Sequence, residues 1–294
     1  MLKALLLSIR LKTLTAAFVP VLVGTALVYA LSKSFSLSIF ALCLGAALFI
    51  QIATNLFNDA KDFQKGADSA GRLGPLRVTQ SGLFSYKQVM TLAAICLFLA
   101  MLLGIPLVIK GGLPIMVLGL VSLFLAYGYT AGPLPLAYIG LGDLFVYLFF
   151  GVFAVGGVYY LNELSYSLSA FMAGSQIGLL TTVLIVINNL RDYEQDRKVK
   201  KMTLAARFGY KFSIAEVSLL YVLSYGHLVY WLFTGFKAAA MLPLLSLPLA
   251  ISLVSKLKKT KPSAKYNSYL AQSSKIFLIY SILFITGLVI DVTT

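Results

Sequence analysis

Carboxylates are scarce in this sequence of 294 residues, which contains only ten Asp and Glu residues. Six of them fall in two short groups: Asp59, Asp62 and Asp68 in the first, and Asp192, Glu194 and Asp196 in the second. Each group follows a long apolar stretch, where a carboxylate is costly unless it faces a functional cavity. Such acids can also simply balance neighbouring Lys and Arg residues, so their spacing must decide between the two interpretations.

The spacing favours a functional site, because both groups contain the pattern Asn-x-x-x-Asp. Asn58 and Asp62 form the first instance, and Asn188 and Asp192 form the second, with Asp196 one further turn on. Residues three or four apart share one face of a helix. Two such faces, placed opposite each other in a helix bundle, would gather oxygen donors around a small volume.

Oxygen donors of this kind predict a magnesium site that also holds a phosphorylated substrate. Mg²⁺ prefers oxygen ligands and often binds through one or two carboxylates plus substrate phosphate oxygens. Basic residues are interleaved with the acids: Lys61, Lys65, Arg72, Arg77, Arg191, Arg197, Lys198, Lys201 and Arg207. A diphosphate held jointly by Mg²⁺ and these cations is the simplest ligand. We expect its lipidic tail to extend among the helices.

The elements that position these residues are membrane-spanning helices, since 60% of the residues are hydrophobic and only 12% are charged. A span needs about 20 apolar residues. Nine stretches qualify: 13–31, 37–57, 88–109, 113–131, 141–161, 167–189, 213–235, 238–255 and 276–291. The sequence therefore predicts one domain over residues 1–294, an all-α transmembrane bundle. Because each polar group ends an even-numbered span, we expect two pseudo-repeated halves.

The basic residues predict the orientation of these spans. Of 24 Lys and Arg residues, all but Lys33, Lys110 and Lys237 fall on one side of the nine-span arrangement. Cytoplasmic loops carry this excess, so we expect a cytoplasmic N-terminus, cytoplasmic active-site loops and an external C-terminus. Membrane lipid, and not nucleic acid, then accounts for the net charge of +14. One histidine and two cysteines exclude a His-rich or thiolate metal site.

At these residues the sequence resembles the UbiA superfamily of intramembrane prenyltransferases. That superfamily has an N-D-x-x-D-x-x-x-D element after the second span and a D-x-x-x-D element after the sixth. Here the first covers 58–66, with Gly66 in place of the last aspartate, and the second is intact at Asp192 and Asp196. The branch that prenylates 1,4-dihydroxy-2-naphthoate, in which this glycine is expected, is also matched at 65–68, 72–75, 77–82, 129–133, 188–192 and 207–209.

The resemblance implies transfer of a polyprenyl group from its diphosphate to 1,4-dihydroxy-2-naphthoate with loss of CO₂, giving demethylmenaquinone. It implies Mg²⁺ held by Asn58, Asp59, Asp62, Asn188, Asp192 and Asp196. Asp62, Asp192 and Asp143 are the expected catalytic residues. The expected substrate-binding residues are Lys12, Lys65, Arg72, Arg77, Tyr129, Lys201 and Arg207. Lys12 is equally well explained as the basic flank of the first span, and Tyr129 is one of several tyrosines able to face an allylic cation.

Three alternatives stay open at this point. Another aromatic acceptor, such as 4-hydroxybenzoate, would keep the fold and mechanism. A CDP-alcohol phosphotransferase is disfavoured because Phe63 follows Asp62 where its motif needs a different continuation. A secondary transporter would place its carboxylates near the bilayer midplane, whereas these lie at span ends. The N-terminus shows no transit peptide, so a prokaryotic plasma membrane is expected; the oligomeric state is not predicted.

Overall fold

The computed structural model describes residues 8–66, 73–74, 77–132 and 135–293, and within these ranges it contains helices and turns but no β-strand. In chain order the α-helices are α1 (Leu11–Ser32), α2 (Leu37–Gln64), α3 (Tyr86–Gly128), α4 (Leu136–Ile139), α5 (Gly142–Tyr147), α6 (Phe153–Glu163), α7 (Leu168–Lys198), α8 (Leu204–Gly226), α9 (Leu228–Phe233), α10 (Lys237–Met241), α11 (Leu247–Lys259) and α12 (Tyr266–Thr293). The predicted all-α architecture is confirmed.

Helix α3 is a hairpin of two helices. Its 43 residues would measure about 65 Å if they formed one straight helix. Yet the ammonium group of Lys61 lies 5.4 Å from the ring centre of Tyr86, at the start of α3, and 5.7 Å from that of Tyr127, near its end. The chain reverses at Gly112, whose φ of 65° and ψ of −150° are not helical. Glycine adopts this conformation without the steric cost of a Cβ.

Because α3 is a hairpin, the number of apolar helices agrees with the nine spans that the sequence predicts. Within the described residues, eight continuous helical segments are long and apolar enough to cross a membrane. One of the eight is α3, which turns back at Gly112, so these eight segments comprise nine apolar helices. The breaks predicted near residues 110–112 and near Lys237 both occur.

Two spans contain irregular turns that the hydropathy pattern does not reveal. A π-helix at Leu148–Val152 joins α5 to α6, and a 3₁₀-helix at Leu242–Ser246 joins α10 to α11. At the π-helix the backbone approaches α7 so closely that a Cβ on Gly151 would lie 2.3 Å from the Cα of Gly178. π-turns inside helices are frequent at functional sites, and this one sets the direction of side chains that line cavities described below.

Helix α7 is the central element of the bundle. In its most apolar stretch 78% of the residues are buried, a larger share than in any other membrane-length segment. Polar contacts add to this packing: the indole nitrogen of Trp231 donates a hydrogen bond of 2.9 Å to Gln176 on α7. A rigid central helix gives the polar residues near its C-terminal end a fixed position in the bundle.

Asp59 and Asp62 of the first polar group and all three acids of the second lie on helices and not in loops, while Asp68 lies outside the described residues. Helix α2 continues to Gln64 and α7 continues to Lys198, about two turns beyond the ends of the predicted apolar spans. Hydropathy marks only the part of a helix that lies in hydrocarbon, whereas the helix itself extends into the interface. The expectation that the acids stand in two loops is therefore corrected, and the same-face arrangement that their spacing predicts becomes possible.

Candidate functional site

Asp62, on the last turn of α2, is buried and lies at the centre of the first polar group. Its carboxylate accepts a hydrogen bond of 2.8 Å from the guanidinium group of Arg77 and one of 2.9 Å from the hydroxyl group of Tyr138. Arg77 also donates to the main-chain oxygen of Asn58, at 2.6 Å. Burial and the Asp62 carboxylate raise the pKa of Tyr138, so its hydroxyl group stays protonated and remains a donor.

Asp59 has a different role from the one its motif implies. Its two carboxylate oxygens accept hydrogen bonds of 3.1 Å from the backbone amides of Val78 and Thr79. Asp59 is 2% exposed and is absent from the residues that line the polar cavity described below. The structure therefore does not bring Asp59 to the expected metal position. Successive helix positions point about 100° apart, so Asp59 faces away from the cavity that Asn58 lines. Asp59 instead holds the turn that carries Arg77.

This arrangement predicts that Asp59 acts through Arg77. Replacing Asp59 by Ala removes two hydrogen bonds that position the turn, so we expect the same loss of activity as in Arg77→Ala. The double variant should be no more impaired than either single variant. Steady-state rates of the four proteins measure this coupling. A direct metal-ligand role for Asp59 would instead make the two losses multiply.

In the second polar group, Arg191 donates hydrogen bonds to two of the motif residues, Asn188 and Asp192. Its guanidinium group donates to both carboxylate oxygens of Asp192, at 2.8 and 2.5 Å, and to the side-chain oxygen of Asn188, at 3.0 Å. Arg191 is only 2% exposed, whereas the side chain of Asp192 is 14% exposed. The bidentate pair thus places Asp192 at the edge of the site with its charge compensated.

Lys201 lies between the two polar groups and links them electrostatically. Its ammonium nitrogen is 3.5 Å from a carboxylate oxygen of Asp196. Burial by itself would lower the pKa of Lys201, but the carboxylates of Asp62 and Asp196 outweigh it and the pKa is raised. Lys201, Asp62 and Asn188 line one cavity, so the bundle brings the two motifs together, as their spacing predicts.

Asp143 contacts the site through a neighbour. This residue is buried on α5, and its carboxylate accepts a hydrogen bond of 3.3 Å from the side-chain amide of Asn189. Asn189 lines the polar cavity, whereas Asp143 does not. Asp143 is thus placed to orient Asn189, and the structure does not place it against a substrate.

A polar cavity of about 250 Å³ connects these residues. The polar side chains that line it come from both motifs and from four other segments: Arg10, Thr13, Gln51, Thr54, Asn55, Asn58, Asp62, Arg77, Tyr129, Thr130, Thr181, Asn188, Asn189, Lys201, Asn267 and Ser274. The cavity is lined by the carboxylate of Asp62 and by the cations of Arg10, Arg77 and Lys201. This mixture suits an anion that binds together with a metal cation.

Two apolar cavities continue from the polar one. The first, of about 220 Å³, shares Tyr129, Val146 and Phe150 with the polar cavity. The second, of about 490 Å³, shares Leu118 and Gly157 with the first and reaches Ser167 at the other end of α7. Between Ser167 and Asn188 the helix rises roughly 30 Å. Three adjoining cavities, two of them mostly apolar, thus lie in a row from the two motifs towards the other end of α7.

Several expected substrate-binding residues have other contacts. Lys65 donates to the main-chain oxygen of Thr130, at 2.7 Å, and lies 3.9 Å from the ring centre of Tyr138. Arg207 donates to the main-chain oxygens of Met202 and Ile139, at 3.0 and 2.9 Å. Arg207 therefore joins two loops and does not line the cavity. Arg72, Asp68 and the side chain of Lys12 lie outside the described residues.

The sequence reasoning missed several residues that line the cavity. Asn55 lies one turn before Asn58 on α2, so its spacing could have identified it. Thr130, whose hydroxyl group donates to the side-chain oxygen of Asn58, follows the end of α3. Asn267 on α12 belongs to no pattern that the sequence displays. Phe150 lies in the π-helix, where helical periodicity gives no guide to direction.

The donors present fit Mg²⁺ when a diphosphate supplies further oxygens. One carboxylate oxygen of Asp196 is buried without a hydrogen-bond partner, and the side chains of Asn58, Asp62 and Asn188 face one cavity. Within the described ranges no three carboxylate, histidine or cysteine side chains form a metal cluster. The metal-binding residues expected from the sequence are alternatives to one another, because Mg²⁺ needs only one or two carboxylates beside phosphate and water.

Known proteins share both the sequence and the fold. A model of the UbiA prenyltransferase family matches residues 17–282. A 1,4-dihydroxy-2-naphthoate octaprenyltransferase of Haemophilus influenzae is 36% identical over 289 residues, which cover 96% of this chain and 94% of that protein. The Escherichia coli protein of the same name is 38% identical over 213 residues, covering 70% and 69%.

Solved structures agree with this relationship. A UbiA homologue from Archaeoglobus fulgidus, bound to GPP and Mg²⁺, aligns with a TM-score of 0.68 at 17% identity, covering 99% of this chain and all of that one. At 17% identity the structural similarity establishes only the fold. The family model and the similar sequences establish family membership. The chain belongs to the UbiA prenyltransferase family.

Proposed function

We propose that this protein transfers a polyprenyl group from its diphosphate to 1,4-dihydroxy-2-naphthoate, with loss of the carboxyl group as CO₂. The observation that carries the proposal is the direct junction of a charged cavity, built from both aspartate motifs, with an apolar path through the bundle. A substrate with a diphosphate head and a long apolar tail fits both parts. The relatives with this named activity support the choice of acceptor.

Asp62, Asp192 and Asp196, with the side-chain oxygens of Asn58 and Asn188, are the residues that would hold Mg²⁺. When bound, the ion neutralises the diphosphate as it departs. The protein contributes two further cations, Arg77 and Lys201, which face the same cavity. Buried cations at this position stabilise the charge that develops on the leaving oxygen.

In the reaction the allylic C–O bond breaks and its electron pair leaves on the diphosphate. The ring carbon that bears the carboxylate supplies the electron pair for the new C–C bond, and when the carboxylate departs as CO₂ the pair of its C–C bond returns to the ring. Tyr129 and Phe150 line both the charged cavity and the apolar one. Their rings therefore lie where the allylic carbon would be, and they can exclude water and face a developing positive charge.

The acceptor would bind near Asn189, whose amide is oriented by Asp143. Asn189 follows Asn188 on α7 and lines the polar cavity. An oriented carboxamide can hydrogen-bond the hydroxyl groups of a dihydroxynaphthoate. Asp143 is then a positioning residue, in place of the catalytic residue that the sequence implies.

The tail path leads to a prediction about prenyl chain length. Gly157 lines both apolar cavities, and a Cβ at this position would lie 3.3 Å from the side chain of Leu118. Gly157→Leu should narrow the junction. We expect roughly tenfold lower turnover of an octaprenyl diphosphate, with geranyl diphosphate turnover changed less than twofold. Paired assays with the two donors measure this, and equal effects on both would contradict the proposed path.

We further propose that the charged cavity opens towards the cytoplasm of a prokaryotic cell. The basic residues around it, which follow the rule for cytoplasmic loops, support this orientation. A cysteine placed at Ser263, between α11 and α12, should react with a membrane-impermeant maleimide in inverted vesicles but not in intact cells. The unmodified chain gives the background reading, and labelling in intact cells alone would reverse the orientation.

Product analysis tests the proposed reaction. Detergent-purified protein is incubated with Mg²⁺ and a polyprenyl diphosphate, with either 1,4-dihydroxy-2-naphthoate or 4-hydroxybenzoate as acceptor. Mass spectrometry should find a prenylated, decarboxylated naphthoquinol from the first acceptor alone. Product from 4-hydroxybenzoate alone would keep the site and change the acceptor.

A further inference from the structure

Asn267, in the first turn of α12, links three separate parts of the site although it belongs to neither motif. Its side-chain amide donates a hydrogen bond of 2.7 Å to the main-chain oxygen of Leu73, in the segment between α2 and α3. Its side-chain oxygen accepts a bond of 2.7 Å from Arg191 on α7. Asn267 also lines the polar cavity. One carboxamide thus joins α12, α7 and the segment that follows the first motif.

The contact with Arg191 completes the hydrogen bonding of that guanidinium group. The Nε and Nη2 atoms of Arg191 donate to Asp192, and Nη2 also donates to Asn188. Its Nη1 atom donates to Asn267. Because a guanidinium group is planar and rigid, a partner on one edge fixes the direction of the other edges. The orientation of Arg191, and with it that of Asp192 and Asn188, therefore depends on Asn267.

The residue type matters at this position. The main-chain oxygen of Leu73 requires a donor and the Arg191 guanidinium requires an acceptor, and a carboxamide offers both. Leucine has a similar size but neither group, whereas aspartate keeps the acceptor and loses the donor. These two substitutions therefore separate the contact with Arg191 from the filling of space.

We propose that Asn267 is a positioning residue for the metal and diphosphate site, acting through Arg191 on Asp192 and Asn188. The proposal deepens the proposed function and rests on it for the identity of the ligand. Residues that orient metal ligands typically contribute 10- to 100-fold to metal affinity or activity. Without Asn267, the Nη1 edge of Arg191 loses its partner, and Asn188, which lines the cavity, and Asp192 beside it are held less firmly.

The test measures metal binding, so that it needs neither turnover nor acceptor. Mn²⁺ binding to the purified protein, with inorganic diphosphate present, is followed by electron paramagnetic resonance. We expect Asn267→Leu to weaken Mn²⁺ binding about tenfold, and Asn267→Asp to bind no more than threefold less tightly than the unmodified protein. Gln272→Ala is the matched control, because it removes a hydrogen bond between Lys256 and α12 away from the cavity. It should leave binding unchanged.

A double-variant cycle identifies the route of the effect. In an Arg191→Leu background, Asn267→Leu should weaken Mn²⁺ binding no further. Multiplying losses would show that Asn267 does not act through Arg191 and would overturn the proposal. A tenfold loss in Asn267→Asp would overturn it as well, and this holds even if Asn267→Leu fails to fold. Normal Mn²⁺ behaviour with no prenylated product would instead count against the proposed reaction alone.

Discussion

Asp62→Asn should reduce prenyl transfer about 1000-fold, because Asp62 is the one carboxylate that lines the polar cavity within the described ranges. In the unmodified protein its carboxylate is bound to Arg77 and Tyr138 and lies close enough to Lys201 to raise the pKa of that lysine. The amide keeps the size of the side chain but removes the charge. Metal and diphosphate then lose the carboxylate of the first motif that lines the cavity.

The measurement is the single-turnover rate at saturating prenyl diphosphate, with thermal unfolding in detergent recorded for the same protein. Asp291→Asn is the matched control. Asp291 accepts hydrogen bonds from the backbone amides of Ala238 and Ala239 at the N-terminal end of α10, away from the cavity. It makes the same chemical change without touching the site. A loss of less than tenfold in Asp62→Asn would remove Asp62 from the centre of the mechanism.

Lys201→Met should produce the second large effect, a loss of stability in the absence of Mg²⁺ that becomes smaller when Mg²⁺ is added. Removing the ammonium group leaves Asp62 and Asp196 buried without their shared cation. Breaking a buried ion pair in this way costs roughly 3 kcal/mol. In EDTA we therefore expect a clear loss of thermal stability. Because Mg²⁺ can then take the place of the cation, added Mg²⁺ should stabilise the variant more than the unmodified protein.

The rate of prenyl transfer by Lys201→Met should fall about 100-fold, since one cation facing the leaving diphosphate is lost. The raised pKa of Lys201 also fixes the sign of its pH dependence. A group with a raised pKa keeps its stabilising charge until the pH exceeds that pKa. Titration of Lys201 should therefore not affect the rate near neutral pH. Equal stabilisation of both proteins by Mg²⁺ would contradict this account of Lys201.

The sequence predicts the membrane-spanning architecture well because each span needs about 20 apolar residues to cross the hydrocarbon layer, and such stretches are visible in the hydropathy of the sequence. It even indicates the reversal at Gly112, where Lys110 and two glycines interrupt the apolar run. It does not predict the π-helix at Leu148–Val152, since that turn depends on the close backbone approach between Gly151 and Gly178. A contact between residues that are distant in the chain produces no periodic pattern in the sequence around either of them.

The sequence predicts many of the residue types in the candidate site, but it does not predict which of these side chains face the cavity. The motif spacing correctly brings Asn58 and Asp62 together with Asn188. It cannot distinguish Asp59 from Asp62, because the rotation of α2 about its axis is set by packing against the rest of the bundle. Asn267 leaves no signal either, since its role depends on Arg191, which is distant in sequence and meets it only in the folded protein.

The central claim is that one site, formed by both motifs and the apolar path, binds the whole prenyl donor. A structure of the protein with Mn²⁺ and an unreactive prenyl thiodiphosphate tests this most directly, since the anomalous signal locates the metal. We predict metal between Asp62 and the Asp192 to Asp196 turn, diphosphate against Arg77 and Lys201, and the tail passing Phe150 towards Gly157. Metal bound by only one motif, or a tail outside this path, would contradict the account.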